Sequence, residues 1–422
     1  MQAKKLRKFP SVYKRCKRSP FLPKLTGYAS ALSCLACVVG LTIWMGLVGK
    51  VSENGMQLFI PFSIAYGWMA CILGWVSLRQ VGALLHKRKF FLFCCHFGLF
   101  IILVCASLGS VARQSLTMVI GVGEQKREGV DSSGHLRELP FAIELKRLEA
   151  GELPSDRIVS EVNVYPCEDG MPNKRVEVNQ PADVMGWKIY QIGFDKNKGD
   201  ATGVSIFELV FDPWLPFVYI GMGVMALGGL VLLFFSFTGW RENIRWKSVC
   251  IAAVGGLLVA VFACSDIVIP KLSGDALPPV LRSPWFIPHV FFYVLAYILL
   301  GASALTGLYL LCSKKCENDV GTMRLCDKLV YMGVAWMTLG MLTGAVWAKE
   351  AWGHYWTWDP KETWAAVAWF SYLGYIHLRR GYVSKKRLAL SVLLISFILL
   401  QMCWWGVNYL PSAQGASLHV YR

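Results

Sequence analysis

The chain alternates long apolar runs with short polar breaks. Runs near 26–49, 58–78, 90–112, 214–238, 248–269, 287–312, 329–348, 362–380 and 388–408 approach or exceed the length of about 20 residues that crosses a hydrocarbon core. This pattern predicts an α-helical polytopic membrane protein with about nine transmembrane helices. Between the third and fourth runs the periodicity changes. Phe141-Ala-Ile-Glu-Leu-Lys146, Ile158–Tyr165, Trp187–Ile192 and Val204–Phe211 tend to place apolar residues at every second position, which is strand spacing. Residues 113–213 are therefore expected to form one small β-rich domain, long enough to bury a core of its own.

One polar break stands apart in its chemistry. Trp352-Gly353-His-Tyr-Trp356-Thr-Trp358-Asp359-Pro-Lys-Glu362-Thr-Trp364, followed by Trp369, sits between two apolar runs. Asp359, Pro360 and Glu362 have the layout of a helix start: an N-cap, proline at the first helical position, and a glutamate closing a capping box. The loop is thus expected to end, and a helix to begin, at Asp359. The aromatics flank a helix N-terminus whose dipole favours anionic groups. Flat, rigid side chains at this density suit a wide planar ligand; the alternative is an interfacial aromatic belt with an ordinary cap.

Composition and charge complete the membrane reading. The chain has 422 residues, 55% hydrophobic and 17% charged, with a mean hydropathy of +0.45, too apolar for a soluble protein. Its formal net charge is +16, but the charge is unevenly placed. More than half of the 43 Lys and Arg fall in the tail 1–25 and in loops 79–89, 240–247, 313–328 and 379–387. These are alternate loops, so the positive-inside rule gives an N-in, C-out topology. That topology places the β-rich domain and the tryptophan stretch outside the cytoplasm. It also accounts for the excess charge without a nucleic-acid partner, and the basic tail is expected to lie on anionic membrane lipids. Most of the 14 Cys fall within predicted spans and give no disulfide framework. Cys34-Leu-Ala-Cys37 has redox spacing but lies inside an apolar run, where packing is the better reading.

Membrane depth sorts the histidines. His96 lies about six residues inside the inner end of the third run, roughly 9 Å deep, and His377 lies at the inner end of the run that begins at Asp359. His289 and His419 both fall on the outer side, in the same compartment as the tryptophan stretch. Polar groups inside a membrane tend to be functional, and neutral imidazole is an axial ligand of haem iron. Two pairs at two depths predict two positions for one flat, metal-bearing ligand; hydrogen bonding to a neighbouring helix or headgroup is the alternative for each single residue. His86, His135 and His354 are read as solvated or hydrogen bonded.

The motif Trp352–Trp364 closely resembles the WWD signature of haem-handling proteins, in particular the cytochrome c assembly (CcsA/ResC) branch. Leu281-Arg-Ser-Pro-Trp-Phe-Ile-Pro-His-Val290 and Ser417-Leu-His-Val-Tyr421 resemble its two outer histidine motifs, and Tyr375-Ile-His-Leu-Arg379 its membrane histidine. The first half is similar to the partner protein CcsB/ResB: Cys95-His-Phe-Gly-Leu-Phe100 resembles its histidine-bearing span. Val178–Gln191 and Phe211–Gly221 resemble the segments around and before its last span.

Together these resemblances imply a fused system II cytochrome c synthase. The implied organisation is a basic cytoplasmic tail 1–25, three ResB-like spans in 26–112, the β-rich domain 113–213, a closing span 214–238 and a CcsA-like haem-handling domain 248–422. The implied activity is that of a holocytochrome c synthase: haem b, as substrate, passes from the inner side to the outer WWD site and is joined to the CxxCH of apocytochrome c. The alternative is a haem exporter or chaperone that delivers haem without forming the bonds. By the same resemblance His96 and His377 would be the membrane ligands, and His289 and His419 the outer ligands. Trp352, Gly353, Trp356, Trp358, Asp359, Glu362, Trp364 and Trp369 would form the haem platform. No acid or base is implied. With no Cys-x-x-Cys in a soluble segment, thiol reduction would fall to a separate membrane or periplasmic protein. A bacterial inner membrane is the implied location.

Overall fold

The computed structural model describes residues 27–48, 56–81, 90–150, 158–166, 173–195, 203–238, 279–313 and 319–413. The predicted span near 248–269, the tail 1–25, His86 and His419 lie outside the described residues. Within them are eight long helices: α1 (Tyr28–Val48), α2 (Met56–Val81), α3 (Phe90–Ala112), α4 (Leu215–Thr238), α5 (Phe286–Cys312), α6 (Val320–Trp352), α7 (Pro360–Gly381) and α8 (Lys386–Trp404). Seven of these are long and apolar enough to cross a membrane. The exception is α7, which carries Lys361, Glu362, His377, Arg379 and Arg380. Its residues Thr363–Tyr372 are all buried, so its surroundings are other helices and its polarity is tolerated.

Helix α6 is longer than its apolar run 329–348. At 33 residues it spans roughly 50 Å at 1.5 Å per residue, beyond the ~30 Å of a bilayer core. Its extra length is polar and specified at both ends. The Asp319 side chain accepts from the Thr322 N–H at 3.0 Å, and Gly353 ends the helix in the left-handed conformation at φ 74°, where glycine carries no Cβ penalty.

Between α3 and α4 lies an eight-stranded sheet: β1 (Gln114–Gly121), β2 (Gln125–Asp131), β3 (Leu136–Ala150), β4 (Ile158–Tyr165), β5 (Asn173–Glu177), β6 (Ala182–Val184), β7 (Trp187–Asp195) and β8 (Val204–Phe211). The strand order is β5-β4-β3-β2-β1-β8-β7-β6, and every named pair is antiparallel. Alternate residues point inward: Leu116, Met118 and Ile120 on β1, and Leu139, Phe141, Ile143 and Leu145 on β3, form one core with Trp187, Ile189, Phe207 and Leu209. The sheet curls over that core. Ser160 on β4 donates to Gln191 on β7 at 2.7 Å, and the Gln191 amide donates to Ser205 on β8 at 2.8 Å. Because β1 starts two residues after α3 and β8 ends four residues before α4, with Gln114 paired to Phe211, the sheet stands directly on this helix pair.

The helices share one apolar core. Val38 of α1, Met69 of α2, Met225 of α4, Tyr297 of α5, Val330 of α6, Trp369 of α7 and Leu393 of α8 all belong to it. Helix α1 packs on α7, and α4 on α6, so the first and second parts of the chain interlock. The α3–α4 contact is close. A Cβ on Gly98 would lie 2.7 Å from the Met225 backbone nitrogen and 2.8 Å from the Gly221 carbonyl oxygen, and small residues let membrane helices approach in this way. Gly98→Ala is therefore expected to cost about 1–3 kcal/mol, as overpacking does. A lowered thermal midpoint of the detergent-solubilised chain would register it. Gly67→Ala, where nothing lies within 4 Å, is the neutral control.

Candidate haem-handling sites

Two histidines separated by some 280 residues of chain meet at the end of the bundle far from the sheet. The His96 ring on α3 and the His377 ring on α7 have centroids 6.4 Å apart. Two imidazoles bound on opposite sides of one metal through bonds of about 2.0–2.1 Å have centroids roughly 6–6.5 Å apart, a spacing this pair matches with its ring planes 64° apart. The surrounding residues orient the rings. The Gln80 amide of α2 lies 3.2 Å from His96 Nδ1. His377 Nδ1 donates to the Leu373 carbonyl oxygen at 2.8 Å, which leaves the lone pair of the neutral ring on Nε2. Tyr28 of α1 stands edge-on to His377 with centroids 6.5 Å apart. Among the described residues no three His, Cys, Asp or Glu converge as a metal cage. A two-histidine set suits an iron whose remaining positions are filled by a porphyrin.

Around His377 this end of the bundle is locked by charge. Arg379 binds Asp327 of α6 with two hydrogen bonds, 2.9 and 2.8 Å, and the Tyr375 hydroxyl donates to the same carboxylate at 2.7 Å. This fork fixes α7 against α6 within one turn of His377.

At the other end of α7 the tryptophan stretch is built as its sequence predicts. The Asp359 side chain accepts from the Glu362 N–H at 3.0 Å, and Glu362 accepts from the Asp359 N–H at 3.3 Å, completing the capping box. Glu362 also accepts from the Thr357 N–H at 2.7 Å. Asp359 and Glu362 thereby shape the loop from within. Trp358 is held at φ 58°, a left-handed conformation costing on the order of 1–3 kcal/mol for a bulky residue.

The tryptophans fall into two environments. Trp352, the last residue of α6, and Trp356 and Trp358 in the loop are half-buried, whereas Trp364 and Trp369 are buried in the helix core. Trp369 donates to Thr338 of α6 at 2.9 Å, and Trp364 packs on Gly46 of α1. Trp356 and Trp358 stand edge-to-face at 5.6 Å, and the buried Trp356 indole N–H has no acceptor among the described residues. Trp358 in turn meets Phe62 at 4.9 Å and Tyr66 at 5.8 Å, so α2 supplies part of this wall.

His289 lies in the first turn of α5. Its Nδ1 donates to the Gly340 carbonyl oxygen of α6 at 2.8 Å, and its ring leads through Trp347 (5.6 Å) to Trp352 (5.1 Å). His419, expected opposite it, lies outside the described residues. Gly344 is shaped to this histidine, because a Cβ there would stand 2.5 Å from His289 Nδ1.

The sheet packs against the loop, a contact that no sequence pattern announces. His354 Nε2 lies 3.0 Å from Glu208 of β8 and 3.2 Å from Arg113. Burial alone would raise the Glu208 carboxyl, but its contacts with His354, Ser115 and Arg113 hold it below the usual carboxylate range. His354 is thus hydrogen bonded, in keeping with its reading from sequence. A Cβ on Gly353 would lie 3.2 Å from the Tyr190 ring of β7, so glycine there both ends α6 and admits the sheet. His135, by contrast, is exposed on the β2–β3 turn beside Asp131.

Residues 217–413 match the family described as cytochrome C assembly protein, and residues 86–208 match the ResB-like family. Curated relatives named cytochrome c biogenesis protein CcsA include one from Chlamydomonas reinhardtii, 34% identical over 176 residues, covering 39% of this chain and 48% of the relative. One from Prochlorococcus marinus (strain MIT 9301) is 33% identical over 199 residues, covering 39% and 62%. One from Synechococcus sp. (strain CC9902) is 31% identical over 218 residues, covering 42% and 69%. The chain thus spans between about half and two-thirds of the length of these relatives.

Proposed function

Since the chain belongs to the CcsA family of cytochrome c assembly proteins and carries a ResB-like segment ahead of that region, we propose that it is a haem-handling synthase of cytochrome c maturation. In this reading haem is taken up between His96 and His377 near the inner face, passes to the tryptophan loop on the outer face, and is joined there to the Cys-x-x-Cys-His of an apocytochrome c. The observation that carries the reading is the neighbouring His96–His377 pair, with ring centroids 6.4 Å apart. It is supported by the half-buried tryptophans at the opposite end of the same helix.

Thioether formation adds a thiol across a vinyl group of the haem: one carbon–sulfur bond forms, the thiol proton goes to the other vinyl carbon, and no net oxidation occurs. The chain would contribute position. Trp352, Trp356 and Trp358 hold the flat face, His289 and His419 bind the iron, and the Trp356 N–H is available to an anionic edge. Orientation of this kind lowers a barrier by as much as ~7–11 kcal/mol in ideal cases. The orientation follows the charge distribution, N-terminus inside and loop outside, in a bacterial inner membrane with the loop on the periplasmic side.

Two experiments test the proposal. The purified chain from a haem-replete host is expected to show the absorption of haem iron with two imidazole ligands; a colourless protein refutes haem handling. Co-expression with an apocytochrome c in a strain lacking its own maturation genes is expected to yield covalent haem. Bound haem without covalent product would assign the chain to relay alone.

A further inference from the structure

Three charged or titratable residues from distant parts of the chain meet where the sheet touches the tryptophan loop. Arg113 is the joint between α3 and β1, Glu208 lies on β8, and His354 is the second residue of the loop between α6 and α7. His354 Nε2 stands 3.0 Å from Glu208 Oε1 and 3.2 Å from Arg113 Nη2, with Arg113 3.7 Å from the same carboxylate. Ser115 donates to that carboxylate at 2.6 Å. Their side chains are 21% (Arg113), 15% (Glu208) and 26% (His354) exposed, buried enough for the charges to be weakly screened. A second contact lies alongside: Lys349 donates to the Gly353 carbonyl oxygen at 2.9 Å and faces the Tyr190 ring at 5.7 Å.

The loop is thus tied at both ends. The capping box ties its C-terminal end to α7 through Glu362, and His354 ties its N-terminal end to the sheet. Trp352 and Trp356 stand two residues to either side of that tie. We propose that Arg113, Glu208 and His354 form a latch that sets the position of the loop bearing Trp352, Trp356 and Trp358, which makes the ResB-like sheet a positioning element of the outer site. The consequence for haem rests on the proposed function; the latch itself does not.

One nitrogen serves two partners, and this gives the latch its chemistry. With a proton on Nε2, His354 donates to Glu208; with Nε2 deprotonated, it accepts from Arg113, whose guanidinium still faces Glu208. The loop is held in both forms as long as Glu208 is ionised. The other titratable groups near the cluster are Tyr355 in the loop, Asp212 after β8, Tyr190 on β7 and Lys349 on α6. Because the folded-state carboxyl is held below its ordinary range, its contribution is present at neutral pH. It is lost as pH falls through that lowered value.

Hydrogen–deuterium exchange on the apo full-length chain tests this without haem. Glu208→Gln and His354→Gln are each expected to raise exchange across 353–358 by about tenfold, with α7 protected as before. The double variant should exceed neither single variant by much, as coupled residues behave. Acidification below the ordinary carboxylate range should loosen 353–355 in the unaltered chain and have no added effect on those residues in Glu208→Gln. Additive effects, unchanged exchange or the same acid response in Glu208→Gln would each overturn the latch. Haem uptake is then read separately. If no chain, unaltered or variant, takes up haem while exchange responds as stated, the latch stands and the haem reading falls. If the loosened loop still accepts haem at the outer site as the unaltered chain does, positioning by the sheet is refuted.

Discussion

Replacing His377 or His96 with alanine is expected to remove haem from the chain at both depths. If haem enters between these two rings, a variant lacking either one has no entry position, and the outer loop goes unfilled although nothing in it has changed. The expected result is a fall of about tenfold or more in haem per chain, equivalent to roughly 1.4 kcal/mol or more of lost binding, read from the absorption of the purified protein. Covalent cytochrome should fall in parallel. The variants should fold: among the described residues the His377 ring hydrogen bonds within its own helix, to the Leu373 carbonyl, and α7 remains fixed to α6 by the Arg379–Asp327 fork. His135→Ala, on an exposed turn, is the control and should change nothing. Full haem loading in His377→Ala would remove the inner pair from the pathway.

This pair was legible in the sequence because depth in a membrane is nearly a one-dimensional quantity. Counting residues from the basic loops put His96 and His377 at one level, and their rings are neighbours. Asp359, Pro360 and Glu362 marked the start of α7 by short-range chemistry, and the capping box is formed. The strands over 141–146, 158–165, 187–192 and 204–211 followed from their alternation and lie in β3, β4, β7 and β8.

Helix faces were far less legible. A helix such as α4 is apolar all round, so no periodicity says which side meets α3 and which meets α6. For the same reason the sequence grouped Trp364 and Trp369 with Trp352, Trp356 and Trp358, whereas the first two are buried in the helix core. The length of α6 was hidden because its ends are polar, held by a cap at Asp319 and a left-handed glycine at 353. The seating of the sheet on the tryptophan loop joins Arg113 to His354 across 241 positions. Single charges that far apart carry no pairing signal in one sequence.

The second large effect separates the two sites. His289→Ala is expected to leave the inner haem in place while the outer position empties, so the absorption of bound haem persists and covalent product falls by about tenfold or more. The argument is geometric as well as chemical. His289 is oriented by the Gly340 carbonyl and joined to Trp352 through Trp347, all near the start of α5 and towards the end of α6. Gly344 offers a way to disturb this ring without removing it. A Cβ there would lie 2.5 Å from His289 Nδ1 and 2.6 Å from Cε1, closer than side-chain atoms pack, so Gly344→Ala must turn the imidazole or shift α5. It is expected to reproduce the His289→Ala pattern in weaker form, with inner haem retained and product reduced. Should His289→Ala and His377→Ala lose haem equally, with identical residual spectra, passage from the inner position to the outer one would be wrong. The two histidines would then serve a single site.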